Sequence, residues 1–175
     1  MTSRLNEFRR AMETMFQTAM PTLKECKAQL GRFDLEELER NSIKAPALRC
    51  AVLRAPLEAN PDDTSSARLA CAAFAICDGR NMDDDAWMVA EAAAALLRRN
   101  QRFGLSDIGA PIDIRIAPVL SANFNRRGVA IVATEWTQVL HGIGASMFDG
   151  ELPIELTFSV NGDDVILPED AGSAA

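Results

Sequence analysis

The sequence predicts an α+β fold, with an antiparallel or mixed sheet made from two hairpins and packed against an N-terminal helix and a long central helix. Three observations carry that prediction. Two separated segments show apolar stripes at the helical period, paired runs of alternating residues flank polar turns, and no unit of 20 to 50 residues recurs that would signal a solenoid.

The first stripe places Leu5, Phe8, Met12, Met15, Phe16 and Ala19 on one helical face. Ser3 is placed to cap its start with a side-chain oxygen, and Pro21, lacking an amide donor, marks its end. Cys26, Ala28 and Leu30 then alternate with Lys27 and Gln29 as a half-buried strand that Gly31 closes. Asp34 and Glu37 form a capping box opening a short acidic helix through Arg40.

Leu48, Cys50 and Val52 begin the first hairpin, its polar tip falling at Asn60-Pro61-Asp62-Asp63. The returning run from Ala67 to Cys77 is apolar at odd and even positions alike, which predicts a central strand covered on both faces. The central helix is expected over Asp83–Arg102. Three aspartates crowd its start and Arg98, Arg99 and Arg102 its end, both complementing the helix dipole. Trp87, Val89, Ala92, Ala93, Leu96 and Leu97 are expected on its buried side, with Gly104 as the left-handed cap. Ile112, Ile114 and Ile116 and the extended run Val129–Leu140 form the second hairpin around Asn123–Gly128.

Gly142, Gly144 and Gly150 are expected to loosen the chain and divide it. Residues 1–145 form one α+β domain, and residues 146–175 form a C-terminal arm with a strand pair around the Asn161-Gly162 turn and a frayed tail from Pro168. That arm is suited to adding strands to a neighbouring subunit.

Composition narrows the function classes. With 175 residues, 48% of them hydrophobic, the chain can bury a core without staples, which excludes overall disorder. Twenty-five acidic against 18 basic residues give a net charge of −7, which argues against gripping nucleic acid by its phosphates. One histidine, His141, and no tyrosine leave no second imidazole for a His-rich metal site. No apolar run approaches the roughly 20 residues needed to span a bilayer, and the N-terminal 20 residues alternate charge with apolar residues unlike a targeting signal. The expectation is a soluble compartment with four buried, reduced cysteines, Cys26, Cys50, Cys71 and Cys77.

Chemistry-bearing motifs are sparse. Neither GxGxxG nor GxxxxGK[ST] occurs, and Gly142-Ile143-Gly144 reads as a joint. Asp83, Asp84 and Asp85 are explained by the helix N-terminus, since consecutive helical residues diverge and cannot converge on a cation. A cysteine activated by His141 would give a small enzyme, but nothing in the spacing selects the cysteine, and there is no GxSxG elbow. No catalytic residue, cofactor or metal is expected. Phe124, Arg126 and Arg127 at the second hairpin's tip suit either a solvated turn or contact with an acidic partner or phosphates. Trp136 and Gln138, on a partly polar strand face, are candidates for meeting another subunit.

Two stretches carry a family resemblance. Ala94-Ala95-Leu96-Leu97-Arg98-Arg99-Asn100-Gln101-Arg102-Phe103-Gly104-Leu105, then Asn123 to Gly128 leading into Val129-Ala130-Ile131-Val132-Ala133-Thr134-Glu135-Trp136-Thr137-Gln138, resemble the Mu-like phage tail-terminator family. The amphipathic first helix fits as well, so the resemblance covers roughly Arg4 to Gly142. It departs from the family pattern in the acidic tip at Asn60–Ser66 and after Ala145. It implies a structural virion protein of a contractile tail, assembled in the host cytoplasm. Its subunits would form a hexameric ring that caps the tail tube, stops tube and sheath polymerisation and joins the tail to the neck. The implied partners are further copies of the chain, tube and sheath proteins, and neck or connector proteins, with DNA passing through the ring without specific binding. A head-to-tail adaptor is the alternative within the same class.

Overall fold

A computed structural model of the chain describes residues 3–31, 43–61, 64–99, 102–119 and 128–144, together with two strands at 158–160 and 163–165. The chain divides into two compact units, Met1–Ala145 and Ser146–Ala175.

In the first unit, helix α1 (Arg4–Ala19) is followed by strands β1 (Glu25–Leu30), β2 (Ala47–Arg54), β3 (Leu57–Ala59) and β4 (Ser65–Asp78). Helix α2 (Met82–Arg99) then leads to β5 (Ile112–Pro118) and β6 (Val129–Ile143). The six strands form one mixed sheet in the order β1-β2-β4-β6-β5, with β3 also pairing with β4. Both expected hairpins are present: β2 and β3 run antiparallel to β4, and β5 antiparallel to β6. The fold is α+β. Among the described residues, the one parallel pair joins β1 to β2.

Both helices lie on one face of the sheet. Phe8, Met12, Met15 and Phe16 of α1 and Ala86, Ala90, Ala93 and Leu97 of α2 share a core with Leu48, Leu69, Cys71, Trp136 and Leu140. Each fully buried large side chain there contributes about 1.5–3 kcal/mol. Phe8 meets Phe103 edge-on at 5.5 Å, tying α1 to the turn after α2. On the opposite face Ala72, Phe74 and Ile76 pack with Ala47, Ala51, Ile131 and Ala133, so β4 is covered on both sides as its unbroken apolar run requires.

Several local expectations are corrected. Trp87 is 41% exposed, because the stripe facing the sheet is Ala86, Ala90, Ala93 and Leu97. Small residues there bring the helix backbone close enough for Thr134 Oγ1 to donate to the Ala90 carbonyl at 2.9 Å, and an indole in that gap would hold the layers apart. Val89, Ala92 and Leu96 are only half-buried. In β1, Leu30 is 86% exposed while Gln29 is buried. The strand lies at the sheet's edge, where the Glu13 carboxylate accepts the Ala28 amide at 2.9 Å and the Gln29 side chain donates to the Gly31 carbonyl. Ser3 makes no side-chain cap, and only its carbonyl accepts from the Glu7 amide, at 2.9 Å.

Two bulges re-aim the later strands. β5 carries one extra residue between Ile112 and Arg115, with Asp113 at φ 55°, so Ile112 leaves the face shared by Ile114 and Ile116. In β6 the register slips opposite Ser66, and Gly142 at φ 70° supplies the conformation needed there, so this glycine serves as a strand bulge and not as a loose joint. Gly104, at φ 76°, turns the chain after α2 as expected. The expected helix at Asp34–Arg40 and the hairpin tip at Asn123–Arg127 lie outside the described residues. In the second unit β7 (Phe158–Val160) and β8 (Asp163–Val165) form an antiparallel pair joined by two residues.

Candidate functional site

The segment that carries the family resemblance maps onto α2, β5 and β6, which adjoin in the first unit. β5 ends the sheet and, among the described residues, pairs with β6 alone. Arg115 Nη2 and Glu135 Oε2 stand 2.6 Å apart across that pair, on residues directly opposite in register. Beside that pair, Ile114, Arg115 and Ile116 line an open groove of about 480 Å³ together with Glu91, Ala94, Ala95 and Arg98 of α2. Alanines at 94 and 95 leave this groove unfilled.

Of the residues expected at a subunit contact, Phe124, Arg126 and Arg127 lie outside the described residues. Trp136 and Gln138 are corrected: both are buried, at 2% and 0% exposure, on the face that β6 turns toward the helices. Trp136 packs edge-on against Phe16 at 6.5 Å, and its indole N–H donates to Gln138 Oε1 at 3.2 Å. Gln138 Nε2 donates in turn to the Gly109 carbonyl at 2.8 Å, which pins the segment leading into β5. The polar groups that suggested an outward face are satisfied internally, so these two residues shape the β5–β6 edge from inside.

His141 pairs with a serine and not with a cysteine. Ser66 Oγ and His141 Nδ1 share a hydrogen bond of 2.9 Å, Asn60 Nδ2 donates to Ser66 Oγ at 3.0 Å, and the same amide donates to Thr64 Oγ1 at 3.0 Å. The His141 amide donates to the Asp107 carbonyl at 2.9 Å. A nucleophilic serine needs its hydroxyl turned toward open space, with a base on one side of it. Ser66 is 7% exposed and also held by Asn60, so the arrangement works as a latch fixing the first hairpin's tip to the end of β6. Cys71, opposite Trp136, lies five residues from His141 along β6, about 17 Å away.

All four cysteines are free and buried. A hydrogen bond with Cys50 draws the Cys26 thiol below its ordinary range in spite of burial, and the same pairing together with burial pushes Cys50 well up. Burial raises Cys71, and burial with the charges of Asp85 and Asp78 pushes Cys77 up to about 11. Nucleophilic thiolate is therefore suppressed at three of the four.

The latch partners Asn60 and Ser66 carry no motif, and only the strand register brings them to His141. The groove did leave a signal, the small pair Ala94-Ala95 on the outer side of an otherwise ordinary helix. Comparison with known protein families and with curated proteins gives no match for this chain. No helix among the described residues is long and apolar enough to cross a membrane.

Proposed function

We propose that this chain is a tail terminator, a structural subunit whose hexameric ring caps a contractile tail tube, halts tube and sheath growth and offers a surface to the neck. The observation that carries the reading is an order of elements. A long helix ends in a basic stretch, turns at Gly104-Leu105 toward an edge strand, β5, and is followed by an apolar strand, β6, that carries Trp136 and Gln138. Those are the stretches in which the sequence resembles the family.

The physical arrangement supports an assembly role. A ring needs one patch on each subunit to meet a different patch on the next. Among the described residues β5 has no second strand neighbour, and its edge along Arg115–Ala117, between the bulge at Asp113 and Pro118, offers one half of such a contact. The second unit carries the β7–β8 pair, and an arm that adds strands to a neighbouring subunit would suit such a ring. The net charge of −7 suits a ring through which DNA slides without being held.

Electron microscopy of the purified full chain, alone and mixed with tail tubes, tests the reading. Six-membered rings seated on tube ends are expected. A chain that stays monomeric and leaves tube ends bare would overturn it, and binding at the portal side alone would assign the chain to the adaptor class instead.

A further inference from the structure

The outward face of α2 is a single stripe formed by Asp84, Trp87, Met88, Glu91, Ala95, Arg98, Arg99 and, just past the helix, Arg102, every one of them exposed. It is acidic at one end and basic at the other. Trp87 and Met88, exposed at 41% and 62%, project from the acidic half. The basic half borders the groove at Ala94, Ala95, Ile114 and Ile116. Among the described residues, Asp83, Asp84, Arg99 and Arg102 form no ion pair.

We propose that this face docks a second copy of the chain, with the two α2 helices antiparallel about a twofold axis near Glu91. Pairing in that sense sets Trp87 of each copy over Ala94 and Ala95 of the other, filling a groove that the small residues leave open. It also sets Asp83 and Asp84 against Arg98 and Arg99. The bulky pair and the groove lie about seven residues apart on one helix, roughly 10 Å. A subunit settling on one patch therefore meets the other as well, and only a twofold arrangement uses both at once. A ring contact needs patches on opposite flanks, so this contact is additional to ring closure and does not depend on it. The cost of the arrangement falls at the axis, where the two Glu91 carboxylates face each other.

Sedimentation velocity on the full chain over a concentration series provides the test. Trp87→Ala and Ala95→Arg should each weaken the pairing roughly tenfold or more. Ala95→Arg changes an exposed helical position to a good helix former, so an unaltered circular dichroism spectrum separates lost pairing from lost folding. Asp84→Arg and Arg99→Asp should each weaken it and the double reversal restore it, while Glu91→Gln should tighten it. If rings form, the variants should halve a two-ring particle to one ring; if rings do not form, they should turn dimer into monomer. A wild-type particle whose mass equals that of both Trp87→Ala and Ala95→Arg at every concentration would overturn the pairing. A weaker Glu91→Gln pair would overturn the twofold register.

Discussion

Arg49 Nη2 and Glu25 Oε1 meet at 2.7 Å between β2 and β1, with both side chains nearly buried. Lys27 Nζ reaches the same oxygen at 2.8 Å, and the Lys44 amide donates to Oε2 at 3.2 Å. Burial would raise the Glu25 carboxyl, but these hydrogen bonds and the charges of Arg49 and Lys27 outweigh it and hold the group below its ordinary 4.5.

Glu25→Gln should therefore cost about 3 kcal/mol, because it leaves the buried Arg49 charge uncompensated. That corresponds to a fall in Tm of roughly 6–12 °C for a chain of this size. Adding Arg49→Met should recover part of the loss. Because the folded-state pKa is depressed, the wild-type stabilisation is complete above about pH 4.5 and is lost as pH falls through the lower folded value. Urea unfolding at pH 7, 4.5 and 3 should show the gap between wild type and Glu25→Gln closing toward acid.

The close helix-to-sheet approach at Ala90 makes a second prediction. Ala90→Leu, at a fully buried position under the helix, should cost about 1–3 kcal/mol by overpacking. Thr134→Val should cost about 1 kcal/mol, because it removes the hydroxyl that bonds the Ala90 carbonyl. Chemical denaturation of each variant checks both, and a stabilised Ala90→Leu would mean that the layers stand further apart.

Thiol labelling at pH 8 should be slow for the folded chain and rapid for all four cysteines in urea. Cys26 should react first when folded, since its hydrogen bond with Cys50 favours its thiolate, while Cys77, pushed up to about 11, should lag. Mass-resolved iodoacetamide labelling orders the sites, and Cys77 reacting ahead of Cys26 would contradict the assignment.

Ser66→Ala should cost about 1 kcal/mol and release the latch between the first hairpin's tip and β6. Hydrogen exchange should speed up at the Asn60 and His141 amides, bonded to Thr64 and Asp107, and stay unchanged in the centre of β4. A serine-directed phosphonate should leave the wild-type Ser66 unmodified, because its hydroxyl is buried and held on two sides.

The legible parts of the fold were those with a dominant local pattern. The α1 stripe, the doubly apolar β4 and the charge-capped α2 each repeat one signal over many residues, so single exceptions do not hide them. Individual facings were less legible. Trp87 and Ala86 are neighbours, and hydrophobicity alone favours burying the indole, whereas the close approach of helix and sheet leaves room only for alanine at 86, 90 and 93. Leu30 and Gln29 exchanged places because an edge strand lacks the neighbour that enforces alternation. Trp136 and Gln138 were misread as an outward face because a buried amide and indole that satisfy each other look, one residue at a time, like polar surface.

Local order therefore came from the sequence: two helices, two hairpins and buried thiols, all set by periodicities and turn residues acting over short spans. The tertiary structure alone decided the parallel pairing of β1 with β2, the bulges opposite Ser66 and at Asp113, and the meetings of His141 with Ser66 and Arg49 with Glu25. It also decided that α2 turns small residues toward the sheet and Trp87 toward solvent. Those outcomes depend on register and on the gap between layers, which are settled by contacts between residues far apart in the chain.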